Sequence, residues 1–255
     1  MDATKFILRK WEAARNAGRP RILVGVCGRA GSGKSTVSDR LVRELGDGGV
    51  TSLKYSGDWR FFLDSAARKN WLAQRSADGL FEYLYSLNQF SWWDFSQIRE
   101  DLEILLEGGS IRLEKAYDRT TGRAEVSVDV GPLTGGVLVY DNAILGGVDC
   151  LRMMDAILLL NTPDSLCFER TLKRDAGRRS LPEIAARYLV TTYSENVFFE
   201  SLTQWADRTV TCDGEGKLGG PFSIVGVREL PVPLGALRET CALRAGPPGG
   251  GPAER

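Results

Sequence analysis

The stretch Gly28-Arg29-Ala30-Gly31-Ser32-Gly33-Lys34-Ser35 constrains this chain more than any other. It matches the phosphate-binding loop pattern G-x-x-x-x-G-K-[ST] at each fixed position. The run 22–27 before it is short and apolar, suited to a buried strand, and 36–45 after it reads as a helix. Each residue type has a task in such a loop. Glycines let the backbone wrap closely around phosphates, so that successive N–H groups and the helix N-terminus face the anion. The nucleotide-holding set is then Gly28, Arg29, Ala30, Gly31, Ser32, Gly33, Lys34, Ser35 and Thr36. Lys34 reaches the β- and γ-phosphates and the Ser35 hydroxyl holds Mg²⁺ in this arrangement. An incidental Gly-rich turn would need the spacing and the strand–loop–helix context to coincide by chance. The stretch implies a nucleoside triphosphate, with ATP and Mg²⁺ as the expected cofactors.

Composition narrows the partners. Lys plus Arg equals Asp plus Glu at 33 each, which argues against a nucleic-acid-coating or membrane-surface protein. No apolar run approaches a membrane span, and the amphipathic N-terminal stretch with Glu12 does not read as a signal peptide. The five cysteines, Cys27, Cys150, Cys167, Cys212 and Cys241, are scattered without a C-x-x-C pair. They read as reduced thiols, so a cytoplasmic location is expected. The chain has no histidine, which excludes a Ser–His nucleophile or a His-ligated metal.

Along the chain, apolar periodicity predicts helices at 4–16, 36–45, around 64–75, 94–107, 164–174 and 182–199. Short apolar runs predict strands at 21–27, 50–55, 137–140, 156–160 and 208–211, with two short strands around 117–122. Such alternation implies an α/β fold: a phosphate-loop NTPase three-layer sandwich with a mostly parallel central sheet and helices on both faces. The expected organisation is an N-terminal helix (1–19) and a kinase-type domain (20–215), followed by a C-terminal extension (216–244) and a disordered tail (245–255). Within the domain lie an acceptor-side insert at about 58–125 and an arginine-rich lid at about 170–180. Ligands of such sheets bind at the carboxyl ends of the strands. Four candidates fall there: the phosphate loop, Asp58, Asp141 and Thr162.

Phosphoryl transfer needs a polyphosphate clamp, a metal, a group that handles the attacking hydroxyl, and positive charge over the transition state. Asp141, ending the Val-Leu-Val-Tyr strand, is placed to orient a metal shell together with Ser35; an ordinary strand-end turn with Asn142 is the alternative. Asp58 is placed on the acceptor side where a general base must sit, or is the turn residue of Gly57-Asp58. Residues 170–179 carry five basic side chains in ten, reading either as a lid that closes arginines over phosphates or as a solvated helix face. The cluster Phe81, Tyr83, Tyr85, Phe90, Trp92, Trp93 and Phe95 reads either as a stacking platform for an acceptor or as a satellite core.

With these residues assembled, the chain resembles the uridine kinase and phosphoribulokinase family of phosphate-loop kinases over about residues 20–213. The resemblance is carried by Val26 through Thr36, by Tyr55-Ser56-Gly57-Asp58-Trp59-Arg60, and by Ala116-Tyr117-Asp118. It continues through Asp141-Asn142-Ala143-Ile144, with Asp where the family has Glu, then Arg170 through Arg179, and Ala206-Asp207-Arg208-Thr209-Val210. It implies that Asp58 is the base, Lys34 and Arg174 serve the transferring group, and Arg178 and Arg179 contact phosphates. It also implies that Ser35 and Asp141 serve the metal, and that Tyr117 touches the acceptor. A homo-oligomer is compatible with it. The chain departs from nucleoside kinases at Phe90-Ser91-Trp92-Trp93-Asp94-Phe95, where that branch has Asp-His-Pro-Asp; Trp92 and Trp93 therefore suggest a reshaped acceptor pocket. The histidine that follows the family's Tyr-Asp is also missing, with Gly122 or Arg123 near that point.

The expected function is transfer of phosphate from ATP to a hydroxyl of a small nucleoside or sugar-like metabolite. The alternatives are a pantothenate-kinase-like or specialised-metabolite kinase, and, from another class, a non-catalytic nucleotide-binding regulatory module.

Overall fold

Strands that are apolar on both faces have to be covered on both, and the topology follows from that requirement. In the computed structural model, which describes residues 3–79 and 91–211, β1 (Arg21–Gly28), β2 (Ser52–Ser56), β5 (Gly136–Asp141), β6 (Ala156–Asn161) and β7 (Arg208–Thr211) form one sheet in the order β2-β5-β1-β6-β7. Every pairing in it is parallel. A second sheet is the antiparallel hairpin of β3 (Ile111–Asp118) and β4 (Arg123–Val130). The helices are α1 (Ala3–Asn16), α2 (Lys34–Asp47), α3 (Ser65–Asp78), α4 (Phe95–Leu106), α5 (Val148–Arg152), α6 (Asp164–Asp175) and α7 (Leu181–Leu202), with a 3-10 turn at Gly57–Arg60.

Side-chain alternation along the strands sorts the core into two layers. Ile22, Val24 and Val26 with Val137, Val139, Leu158 and Leu160 pack against Phe6 and Ile7 of α1 and Leu41 and Leu45 of α2. Leu23, Cys27, Leu138, Tyr140, Ile157 and Leu159 face the opposite layer, where Ile98, Leu102 and Leu105 of α4 meet Phe199 and Leu202 of α7. Each such buried side chain contributes roughly 1.5–3 kcal/mol. A core of this extent can tolerate unsatisfied polar atoms at the strand ends.

Several boundaries differ from the sequence expectation for local reasons. Helix α2 begins at Lys34, not residue 36, because Gly33 adopts the left-handed conformation and turns the chain straight into the helix. Strand β2 starts at Ser52, because Val50 is still held by its N–H to Leu45 O (2.9 Å) as α2 ends. The hairpin strands run the full eight residues each, not a few residues around the turn. Helix α5, only one turn long, has too few residues for a periodic signal. Phe81, Tyr83, Tyr85 and Phe90 lie outside the described residues, as do the C-terminal extension and tail.

Candidate active site

The phosphate loop leaves β1 and enters α2. Gly31 has φ +79°, and a Cβ there would sit 2.2 Å from the carbonyl oxygen of Cys167 on α6, so only glycine fits. Gly33 caps α2 with no side-chain hydrogen bond, and the first turn holds no acidic residue. The N-terminus of α2 therefore presents backbone N–H groups and the positive end of its dipole to an anion. Thr162, at the end of β6, donates its hydroxyl to Ser32 O at 2.8 Å; this strand-end residue holds the loop in place.

Lys34 is buried, and its ammonium donates to Gly28 O (2.7 Å) and Arg29 O (2.9 Å). Burial pulls its pKa down, with Arg119 adding to the effect and Glu195, Asp58 and Asp141 opposing it. Arg29 behaves differently from the rest of the loop. Its side chain turns inward under α7, donating to Asn196 Oδ1 at 3.0 Å and lying 3.8 Å from Asp164. Its guanidinium braces the loop, leaving only its backbone to face a phosphate. Thr36 is exposed on the first turn of α2.

Asp58 and Asp141 come from adjacent strands, with Ser56 paired to Asp141 in the β2–β5 register. Both are buried, and each has one carboxylate oxygen, Oδ1, without a hydrogen-bond partner. Gly57 makes this approach possible, since a Cβ there would lie 2.4 Å from the Asn142 amide nitrogen. Burial raises the pKa of Asp141, Lys54 at 3.9 Å lowers it, Asp58 raises it further, and a hydrogen bond from Ser35 lowers it. Ser35 and Asp141 thus do meet. Asp58 pairs through Oδ2 with Arg119 Nε from the tip of the hairpin, and the Asp58 charge holds the Arg119 guanidinium above its ordinary value.

The 3-10 turn that carries Asp58 is anchored from below. Asp101 on α4 accepts from Arg60 Nε and Nη2, both at 2.7 Å, and from the Tyr55 hydroxyl at 2.6 Å. Asp101 is 2 % exposed, so its loss would leave a guanidinium and a phenol unpaired. Asp101→Ala is expected to destabilise the fold by about 3 kcal/mol, the lower end for a broken buried ion pair because Arg60 is partly solvated. Urea titration checks this, with unchanged stability as the contrary result.

The basic segment ends α6 and enters α7 through a short turn. Asp175 gathers Arg174 (2.8 Å), Arg178 (3.2 Å) and Arg179 (3.1 Å) around one buried carboxylate. Burial pushes the Asp175 pKa up, but the Arg174 hydrogen bond and the charges of Arg174, Arg179 and Arg178 outweigh it and hold the carboxyl below its ordinary value. Arg178 also donates to Arg119 O (2.8 Å) and Thr120 O (3.2 Å), joining the segment to the hairpin. All three arginines line one open cleft together with Lys34 and Tyr117.

Trp92 and Trp93 also line this cleft but are 7 % and 3 % exposed. Trp93 stacks on Phe61 with ring centroids 4.8 Å apart, and Phe61 meets Tyr117 edge-on at 4.9 Å. The tryptophans thus belong to the buried core and also line the cleft. Tyr117 is held by Ser65 through a 2.8 Å hydroxyl contact.

Arg119 was not singled out from sequence. Its only signal was its place directly after Tyr117-Asp118, at a turn where Asp118 Oδ1 accepts from Thr120 N at 2.8 Å. Gly122 completes that turn with φ +76°, while Arg123 points away to Glu125 at 3.6 Å. Arg170, the first residue of the basic segment, has its guanidinium 3.4 Å from Ser32 O, over the loop.

A phosphate loop on a central parallel strand, flanked by buried aspartates on neighbouring strand ends and an arginine-bearing turn, defines the class of phosphate-loop kinases. The chain belongs to the Phosphoribulokinase / Uridine kinase family, whose model matches residues 23–202. Membership implies use of ATP and a small-molecule acceptor. The chain is 24 % identical to a uridine kinase from Salmonella paratyphi A over 212 residues, covering 77 % of this chain and 90 % of that protein. Among solved structures, phosphoribulokinase from Rhodobacter spheroides matches with a TM-score of 0.57 at 15 % identity, covering 76 % of this chain and 70 % of that one. D-glycerate 3-kinase from Cryptococcus neoformans matches with a TM-score of 0.57 at 14 % identity, covering 85 % of this chain and 96 % of that one. These likenesses establish the fold as that of the family. Among the described residues no helix is long and apolar enough to cross a membrane.

Proposed function

We propose that this protein transfers the γ-phosphoryl of ATP to a hydroxyl of a small nucleoside or sugar-like metabolite. The observation that carries the reading is the buried pair Asp58 and Asp141 beside Lys34, each with an unpartnered oxygen. Buried carboxylates left unsatisfied oppose folding, and such groups concentrate where function uses them. A purely structural or regulatory nucleotide module has no need of both. The phosphoribulokinase, D-glycerate 3-kinase and uridine kinase to which the chain is similar differ in the acceptors their names state. The acceptor is therefore a matter for the residues of this chain.

The roles follow from placement. The loop N–H groups and Lys34 clamp the polyphosphate, with Lys34 exchanging its loop carbonyls for phosphate oxygens. Ser35 and Asp141 offer a hydroxyl and a carboxylate with a spare oxygen, a donor set suited to Mg²⁺, which prefers oxygen ligands and retains waters and substrate phosphates. When bound, the ion would neutralise charge on the phosphates. Asp58 accepts the proton of the attacking hydroxyl through its free Oδ1. Arg174, with Arg178 or Arg179, offsets charge on the transferring group. The described cysteines Cys27, Cys150 and Cys167 are free and buried, which supports a reducing, cytoplasmic setting.

Asp141→Asn separates site from fold. Because burial raises the Asp141 pKa, its ionisation at neutral pH works against folding, a penalty the amide lacks. The variant is expected to melt at a higher temperature than wild type while losing ~10²-fold or more in turnover. A lower melting temperature with retained turnover would remove Asp141 from the metal site. The reading as a whole is tested by ADP release from MgATP against nucleosides, sugars, pantothenate and amino alcohols. Acceptor-dependent release supports it, and slow release indifferent to every acceptor counts against it.

A further inference from the structure

The charged side chains that line the cleft are mostly cationic. Six arginines and Lys34 line the cleft, against the carboxylates Asp175 and Glu195, and Asp175 is already shared among three of the arginines. A fourth, Arg119, pairs with Asp58, and two arginines stand outside both arrangements. Arg68 on α3 is 3 % exposed. Its guanidinium lies 4.1 Å over the Phe61 ring, with Trp92 at 5.2 Å and Tyr117 at 5.6 Å. It donates to Leu63 O at 3.0 Å, yet its Nε is buried without a partner and no carboxylate pairs with it among the described residues. The other is Arg187 on α7, half-buried in the same cleft. Among the described residues no ion pair or hydrogen bond neutralises it. Trp93, the third wall element, also leaves its indole N–H without an acceptor.

Buried guanidiniums are strongly disfavoured unless an anion compensates them. Burial, Arg68 and Arg179 together pull Arg187 down to about 9 against the opposing Tyr117 and Asp175, and burial likewise pulls Arg68 down, with Tyr117 and Asp58 opposing. The two groups repel each other across the cleft, and Arg68 is held rigidly by its place in the Trp93–Phe61–Arg68 stack. Arg68 stands on α3 and Arg187 on α7, elements other than the β1–α2 loop that carries Lys34. Tyr117, a wall residue of the same cleft, lies 5.6 Å from the Arg68 guanidinium.

We propose that Arg68 and Arg187 form an anion subsite, so that the acceptor carries a phosphate ester or carboxylate besides the hydroxyl it offers for phosphorylation. This rests on the kinase reading and narrows it. Arg68 and Arg187 bind the far end of the acceptor, and the wall of Phe61, Trp93 and Tyr117 sets its distance from Asp58. Neutral nucleosides and free sugars leave the arginine pair uncompensated and are poor substrates.

The test compares matched acceptors with MgATP: glycerate as carboxylate, glycerol 3-phosphate and ribose 5-phosphate as phosphate esters, and glycerol, ribose and uridine as neutral counterparts. The expected result is turnover of an anionic acceptor with the carboxylate and phosphate arms separating the two chemistries. Arg187→Gln is expected to raise KM for that acceptor by ~30-fold or more, as for loss of one partner of a buried charge pair, with MgATP affinity unchanged and Arg187→Lys recovering part of the loss. A neutral acceptor used as well as its anionic counterpart, and indifferent to Arg187→Gln, overturns the subsite while leaving the kinase intact. If no acceptor is phosphorylated, calorimetry of the same anions on the MgADP-loaded protein decides the subsite separately. Binding abolished by Arg187→Gln upholds it, and no binding refutes it.

Discussion

Lys34→Ala is expected to leave a folded protein whose phosphoryl transfer falls by ~10³-fold or more, below the level of routine assays. Two properties of Lys34 lead to this. Its ammonium is a buried group whose charge is disfavoured by its surroundings, and among the described residues it donates to the loop carbonyls of Gly28 and Arg29. Removing it takes away a desolvated charge together with two hydrogen bonds, so the net effect on folding is small. The effect on catalysis is large. A preorganised cation in a water-poor site acts on charge that develops during transfer, and one such donor is commonly worth ~10²–10³-fold. Lys34 also takes part in ground-state clamping, so nucleotide affinity falls as well. Thermal melting and nucleotide titration, alongside steady-state rates, separate these contributions. A Lys34→Ala protein with wild-type turnover would mean that the loop does not hold the transferring phosphate.

Asp58→Asn is the second large effect and has a different signature. The amide is isosteric, so the 3-10 turn anchored by Asp101 and Arg60 remains in place. The loop, Lys34 and Asp141 are untouched, and MgATP affinity is expected to stay within about 2-fold of wild type. Transfer to an acceptor is expected to drop by ~10²–10⁴-fold, the range for loss of a positioned general base. The Arg119 ion pair adds a detail. Arg119 holds the Oδ2 side of the carboxylate, so Asp58 is fixed in place with Oδ1 left to orient the hydroxyl and take its proton. Its loss therefore falls on kcat more than on KM. An Asp58→Asn protein with unchanged kcat would assign this carboxylate to the turn alone.

Much of this was legible in the sequence because the relevant signals are local. The phosphate loop needs glycines at fixed spacing, and Gly31 shows why: a carbonyl from α6 occupies the space a Cβ would take. Strand-end aspartates could be placed because alternating buried strands and helices leave few topologies, and ligands collect at their carboxyl ends. What the sequence did not show depends on the tertiary path. Arg68 and Arg187 lie more than a hundred residues apart, on α3 and α7, each inside an ordinary helical pattern. Only the folded cleft brings them to one wall. Arg29 reads as part of the phosphate clamp, yet its side chain is spent on Asn196 across the core. Arg119 reads as a hairpin-turn residue, and its reach to Asp58 depends on how the hairpin leans on the start of α3, where Ser65 N donates to Gly122 O at 2.9 Å.

The central claim, that this chain is a phosphotransferase and not merely a nucleotide binder, is tested most directly by following the label of ATP radiolabelled at its γ-phosphoryl. The protein would be incubated with that ATP, Mg²⁺ and a small-molecule extract, alongside the Asp58→Asn variant. The expected result is label appearing in an organic phosphate ester with wild type and not with the variant. Label recovered only as inorganic phosphate, at the same slow rate in both proteins, would contradict it.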